Sequence, residues 1–238
     1  MDEVKIIEIK KSVFADNEKD ADALRQELKS KGVFLLNLMS APGSGKTTTL
    51  IQTINRLKDK IRVAVMEADI DGDVDAIKIK EATGVPSIQL HTGGMCHLDA
   101  EMTRQGLNAL MNYCDNAQSH NHTITQSYDL VVLENVGNLV CPAEFDTGSI
   151  ANAMILSVPE GDDKPLKYPL MFTVCDLVLI NKTDVMPYFD FDLERCKQNI
   201  LMRNPKATII PISAKTGDGI DLFADWLLNE VNVSKLRC

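Results

Sequence analysis

Residues 33–47 read VFLLNLMSAPGSGKT: an apolar, β-prone run, then a glycine-rich turn, then Lys46 and Thr47 opening a helix-like pattern. A strand that feeds a glycine-rich loop into a helix is the context a phosphate-cradling loop needs. Gly43, Ser44 and Gly45 let backbone N–H groups turn inward around a β-phosphate. Lys46 reaches the β- and γ-phosphates, Thr47 offers a hydroxyl to Mg²⁺, and Thr48 follows in the same turn. The helix N-terminus adds its dipole. The pattern G-x-x-x-x-G-K-[ST] is broken at its first position, where Ser40 stands, but the remaining Gly-x-Gly-Lys-Thr keeps the main contacts. The competing reading is a glycine-rich turn ahead of an ordinary helix. The strand before the loop and Thr47–Thr49 after it weigh against that.

A nucleotide loop of this kind belongs in an α/β sheet, and the rest of the chain agrees. Short apolar runs recur at 33–38, 62–68, 128–135, 152–158, 176–182 and 207–214. Continuous apolar runs of this length suit strands buried on both faces. Helical patterns alternate with them at 46–60, 97–113, 192–203 and 218–231. The expected fold is therefore α/β, a mainly parallel sheet with helices on both faces. We expect one domain over residues 1–238 with an N-terminal helical segment at about 1–31, amphipathic over 16–31.

Composition narrows the function classes. The net charge of −9 argues against non-specific nucleic-acid binding, which wants a basic face. No apolar run approaches the ~20 residues of a membrane span, and the N-terminus is too charged for a signal peptide. A cytoplasmic location is expected, with the six cysteines as thiols. Cys114, Cys175 and Cys196 are expected as small buried hydrophobes and Cys238 as exposed. His120 and His122 are expected in a solvated loop.

The base is addressed by NKTD at 181–184, which ends the run DLVLI. Asp184 can accept two hydrogen bonds from the N1–H and exocyclic amine of guanine, donors that adenine lacks in this geometry. A site built on such bonds discriminates strongly, because the wrong base leaves a polar group unpaired. Asn181 and the stem of Lys182 frame the base. Ser213, Ala214 and Lys215 end the next strand, where backbone N–H groups can meet the guanine O6. Each tripeptide alone is weak; both at strand ends, after the phosphate loop, point to GTP.

Between loop and base motif lies a stretch suited to Mg²⁺ and to sensing the γ-phosphate. MEADIDGDVDA is dense in carboxylates, with Asp69 the first candidate for Mg²⁺ or for positioning the attacking water and Asp73 and Asp75 weaker candidates whose alternative is a solvated loop. In ENVGNL, Glu134 can reach the metal side, and Gly137 lets a backbone N–H approach the γ-phosphate. Lys46, Asp69 and Glu134 are thus the candidate catalytic residues.

A second constellation is chemically softer. Cys141 follows Gly137 by four residues, and Cys96 and His97 lie side by side in GGMCHLDA. Two sulfurs and an imidazole suit Zn²⁺ or Ni²⁺ rather than Mg²⁺. Three ligands leave one position, open to water, His91 or a ligand from a second subunit. Buried structural cysteines and a Cys–His nucleophile pair are the alternatives. A helix starting near Leu98 would favour the thiolate of Cys96.

With GSGKTT, CHLDAEM, ENVGNLVCPAEFD, EGDDKPLKYP and NKTD all present, the chain resembles the HypB family of hydrogenase nickel-incorporation GTPases from about residue 30 onward. The resemblance implies a P-loop fold of the SIMIBI class, Mg²⁺-dependent hydrolysis of GTP to GDP, and a homodimer favoured by GTP. It also implies a Ni²⁺ or Zn²⁺ site on Cys96, His97 and Cys141 at the dimer interface. EGDDKPLKYP is implied in the nucleotide or dimer surface. The implied partners are a HypA-type metallochaperone and the hydrogenase large-subunit precursor. The first histidine is His91, so no His-rich N-terminal tract stands in the sequence, and the nucleotide-coupled site is the expected metal site. The other readings are a urease-accessory-type nickel GTPase, a P-loop kinase or ligase, and a GTPase with a purely structural zinc.

Overall fold

The computed structural model describes residues 6–69, 74–117 and 128–236. Seven parallel strands form one sheet: β1 (Phe34–Ser40), β2 (Val63–Asp69), β3 (Ser87–His91), β4 (Leu130–Glu134), β5 (Ala151–Ser157), β6 (Leu177–Asn181) and β7 (Thr208–Pro211), in the order β3-β2-β4-β1-β5-β6-β7. Around it, among the described residues, run α1 (Ile6–Ser30), α2 (Lys46–Leu57), α3 (Val74–Thr83), α4 (Ala100–Ala117), α5 (Cys141–Glu144), α6 (Lys164–Lys167), α7 (Pro169–Thr173), α8 (Leu193–Arg203) and α9 (Ile220–Leu236).

All six expected strands are present, and the sheet gains β3. Its sequence, SIQLH, is an edge strand beside β2 that is only half-buried, so it lacks the apolar run that betrayed the others. Helix α3 also escaped the periodicity, because Ala76, Ile79 and Thr83 face the core while Val74 and Ile77 lie exposed. That leaves no clean apolar stripe to read. Helix α1 is longer than the expected amphipathic stretch. It buries Ala21, Leu24 and Leu28 and stops where Gly32, at φ 64, lets Val33 N–H bond back to Leu28 O.

Alternation along β1 sorts side chains between two layers. Leu36 and Leu38 face the layer of Leu50, Ile54, Phe223 and Leu227 from α2 and α9, while Leu35 faces Leu24 and Leu28 of α1 and Leu107 and Leu110 of α4. The chain places β2–β4 on one side of β1, with β4 inserted between β1 and β2, and then works outward on the other side through β5–β7. In a parallel sheet this reversal opens a crevice beyond the carboxyl ends of the strands. Every candidate site residue falls at that edge or on the loops leaving it.

Candidate nucleotide and metal centre

The phosphate loop leaves β1 at Ser40 and enters α2 at Lys46. Gly43 and Gly45 hold φ of 74° and 101°, a region open to glycine. A Cβ on Gly45 would also stand 2.5 Å from Asn181 Nδ2. The Ser40 departure has a structural reason: its buried hydroxyl accepts from Lys46 Nζ at 2.9 Å and donates to Ala41 O. The lysine is thus held along the loop by the residue that replaces the first glycine. Thr48 is exposed in the first turn of α2.

The base-recognition candidates close around the same loop. Asn181 Nδ2 donates to Ser44 O at 2.8 Å, and its Oδ1 accepts from the backbone N–H groups of Lys182 and Ala214. Lys182, the one non-glycine among the described residues with positive φ, sends its Nζ to Gly43 O at 2.7 Å. Ser213 Oγ donates to Asp184 Oδ1 at 2.7 Å. One network therefore joins three stretches that are far apart in sequence; Lys215 lies exposed beside it.

A cavity of about 300 Å³ opens next to the loop, lined among others by Lys46, Glu67, Asp69, Asp75, Glu134 and Gly137. Glu67 and Glu134 are register neighbours on β2 and β4, 4% and 1% exposed. Carboxylate oxygens of Glu67, Asp75 and Glu134 lie within 4.8 Å of one another. Thr47 Oγ1 donates to Glu134 Oε1 at 3.4 Å. Oε2 of Glu67 and of Glu134 has no hydrogen-bond partner. Burial pushes Glu67 up to about 7 and Glu134 up to about 8, against the pull of Lys46. Two desolvated carboxylates with orphaned oxygens are costly on their own; a hard cation such as Mg²⁺ suits this all-oxygen donor set.

Asp69 lines the cavity from the exposed end of β2, while the close oxygen group is formed by Glu67, Asp75 and Glu134. Asp75, the weaker candidate, thus joins the cluster from the first turn of α3. Glu67 was missed outright. The signal was there: it is the one acidic residue within the apolar run 62–68. Asp73 lies outside the described residues. Gly137 abuts the phosphate loop, where a Cβ would meet Pro42 at 3.2 Å.

The same segment then carries Cys141 to the second cluster. Sγ of Cys96 lies 2.9 Å from Sγ of Cys141 and 3.9 Å from Nδ1 of His97. All three side chains are half-buried and present their ligand atoms within 4.8 Å of one another. His97 stacks on Phe145 with centroids 3.7 Å apart and planes 15° apart. Burial lowers the pKa of His97, which keeps the imidazole neutral and its lone pair available. The hydrogen bond from Cys96 pushes the Cys141 thiol up. Two sulfurs and a nitrogen converging on one point suit a soft ion with a fourth position open.

Helix α4 begins at Ala100, two residues beyond the expected start near Leu98, and Asp99 caps it by accepting from Met102 N at 2.8 Å. The helix terminus therefore faces the Asp99 carboxylate, which takes up its free N–H groups. Cys175 and Cys196 are buried as expected, and burial pushes the Cys196 thiol up to about 12. The side chain of Cys114, and Cys238, His120 and His122, lie outside the described residues.

Comparison with known proteins agrees with this architecture. The model of the CobW/HypB/UreG nucleotide-binding domain matches residues 34–211. The hydrogenase maturation factor HypB of Rhizobium leguminosarum bv. viciae is 41% identical over 227 residues, covering 95% of this chain and 71% of that protein. The crystal structure of HypB from Helicobacter pylori in complex with nickel superposes with a TM-score of 0.82 at 35% identity, covering 92% of this chain and 97% of that one. At 12% identity, the signal recognition particle 54 kDa protein of Aeropyrum pernix K1, solved with GDP, shares the fold alone, with a TM-score of 0.52 over 86% of this chain and 48% of that one. The chain is thus a P-loop protein of the CobW/HypB/UreG family, and within that family it belongs to the HypB hydrogenase maturation factors.

Proposed function

We propose that this chain is a Mg²⁺-dependent GTPase that carries nickel under nucleotide control during [NiFe]-hydrogenase maturation. The whole chain works as one GTPase domain preceded by its N-terminal helix, in the cytoplasm, as a homodimer favoured by GTP. Its partners are a HypA-type metallochaperone and the hydrogenase large-subunit precursor. The nickel-bound relative supports Ni²⁺ as cargo, and the thiol-rich donor set accommodates Zn²⁺ as well.

In this reading Asp184 takes the guanine donors, with Asn181, Lys182 and Ser213–Lys215 shaping the base pocket. The loop N–H groups of Gly43, Ser44 and Gly45, with Lys46, hold the phosphates. Mg²⁺ bound by Thr47, Glu134 and Glu67 would neutralise charge building on the phosphate oxygens. Asp69, at the mouth of the cavity, positions the attacking water. Cys96, His97 and Cys141 take the nickel.

The observation that carries the proposal is the short segment 134–141. Glu134 and Gly137 belong to the cavity beside the phosphate loop, and Cys141 follows Gly137 by four residues and lies 2.9 Å from Cys96. Ordering of this segment by a γ-phosphate changes the geometry of the thiol cluster. Coupling of this kind is reciprocal, so nucleotide state and nickel must shift each other's affinity equally. The test is a nickel titration on size-exclusion fractions with GDP and with a non-hydrolysable GTP analogue. An affinity difference of about 5-fold or more is expected; equal affinity in both states overturns the coupling.

A further inference from the structure

Both arms of the thiol cluster are tied to one side chain outside it. Asn17, on α1, accepts from Ala100 N–H through Oδ1 at 3.0 Å and donates from Nδ2 to Asp146 O at 3.0 Å. Ala100 opens α4, three residues after His97. Asp146 follows Phe145, on which the His97 ring stacks, and lies five residues after Cys141. The amide has one orientation that satisfies both contacts, since the backbone offers a donor on one side and an acceptor on the other. Asparagine suits this position because its short side chain carries a donor and an acceptor in one plane.

The seat beneath Asp146 is firm. Arg25, two turns further along α1, donates from Nη2 to both Asp146 carboxylate oxygens at 2.8 Å and from Nε to Ser149 O at 2.9 Å. Asp146 Oδ1 also accepts from Gly148 N, and a Cβ on Gly148 would meet Leu24 at 2.9 Å. Residues 146–149 are thus pressed on α1 at a point where φ 75 and close approach both require glycine.

We infer that Asn17 is a positioning residue of the metal centre: it fixes the separation between the Cys96–His97 arm and the Cys141 arm. The inference rests on the reading of Cys96, His97 and Cys141 as metal ligands. Groups that orient the ligands of a metal, without touching it, commonly carry a tenfold or larger share of affinity. Here that work falls to the backbone of both arms rather than to a bond to the imidazole. It gives α1 a part in metal binding that the nucleotide machinery does not share.

The experiment is a Ni²⁺ titration of the full chain, read by thiolate-to-nickel charge-transfer absorption, on the parent, Asn17→Ala, Asn17→Asp and Glu27→Gln. Asn17→Asp keeps the acceptor for Ala100 N–H and loses the donor to Asp146 O. Glu27→Gln weakens the α1–α4 contact through Arg104 without touching either arm. Asn17→Ala is expected to lose about tenfold in affinity with a shifted charge-transfer band, Asn17→Asp to fall between, and Glu27→Gln to match the parent. GDP affinity without metal stays at the parent value throughout. Parent-like affinity and spectrum in Asn17→Ala overturn the inference, as does an equal loss in Glu27→Gln, which would make it general docking of α1. If Asn17→Ala fails to fold, Asn17→Asp decides: a parent-like affinity and band in it overturn the inference. A parent chain with no thiolate band overturns the ligand reading and this inference with it, whereas a normal parent band with unchanged variants overturns this inference alone.

Discussion

Glu67 and Glu134 sit side by side on two central strands and are almost wholly buried. Cys96 and His97 lie in a bend before α4, and Cys141 starts a four-residue helix; all three are half-buried. The two clusters are joined by one short segment, yet they are held in different ways. Sheet hydrogen bonds fix the two carboxyl groups side by side, so the cost of their lost hydration cannot be relieved by moving apart. Turns, a ring stack and tethers to α1 hold the thiols, so small backbone shifts move them. Under the proposed function, the rigid carboxylate cluster would suit repeated phosphate chemistry and the adaptable thiol cluster uptake and release of cargo.

The contrast is broken most severely if the clusters cannot be separated. Cys141→Ala is expected to weaken and shift the nickel charge-transfer band, leaving the contribution of Cys96 alone, and to cost about 100-fold in Ni²⁺ affinity, while metal-free GDP binding and the melting temperature stay near the parent values. Loss of folding in that variant would mean that the thiols are structural.

Glu67→Gln tests the other side and carries effects of opposite sign. Replacing one of two desolvated, ionisable carboxyls by a neutral amide is expected to leave the nucleotide-free protein as stable or more stable in thermal melts. The Mg²⁺ concentration needed for tight binding of a fluorescent guanine nucleotide should rise about tenfold, the scale of one lost ligand interaction. A loss of stability without a change in Mg²⁺ requirement would make Glu67 a core residue only.

The far end of the sheet provides the smallest effect and the control for both clusters. Asp129, just before β4, is buried and bonds Arg62 and Lys235. Burial alone would raise its carboxyl, but the bonds from Arg62 and Lys235 win and hold it well below the usual carboxylate range. A depressed pKa adds stability that is complete above the unfolded value of about 4 and is lost as pH falls below it. Arg62 and Lys235 are themselves half-exposed, 47% and 41%, so solvent screens the pair. Asp129→Asn should cost about 1 kcal/mol at neutral pH. In chemical denaturation the gap to the parent should begin to narrow as pH falls below about 4 and close only once pH passes the depressed native value, with metal and nucleotide binding unmoved.

Much was legible in the residues alone, and for a local reason. The phosphate loop, NKTD and SAK each pack their backbone demands into a few consecutive positions. Strands β1, β2, β4, β5 and β6 announced themselves because a strand buried on both faces must be apolar throughout, and edge strand β7 because Ile209 and Ile210 keep its run apolar and β-branched despite partial burial. The family pattern in ENVGNLVCP then tied Cys141 to the nucleotide side of the fold. Edge strand β3 and helix α3 escaped, because partial burial leaves no period to detect.

Only the tertiary structure decided which distant groups meet. Glu67 becomes part of a carboxylate cluster through the β2–β4 register, since parallel pairing sets it beside Glu134. Ser40 turns from a defect in a motif into the partner of Lys46 once the loop curls over it. Asn17 was an unremarked polar residue on an amphipathic helix until α1 docked across both arms of the thiol cluster. Local sequence sets backbone preference and burial pattern, which act over a few residues. Contacts between segments 83 and 129 residues apart depend on packing the whole sheet and its layers, which no short window of sequence contains.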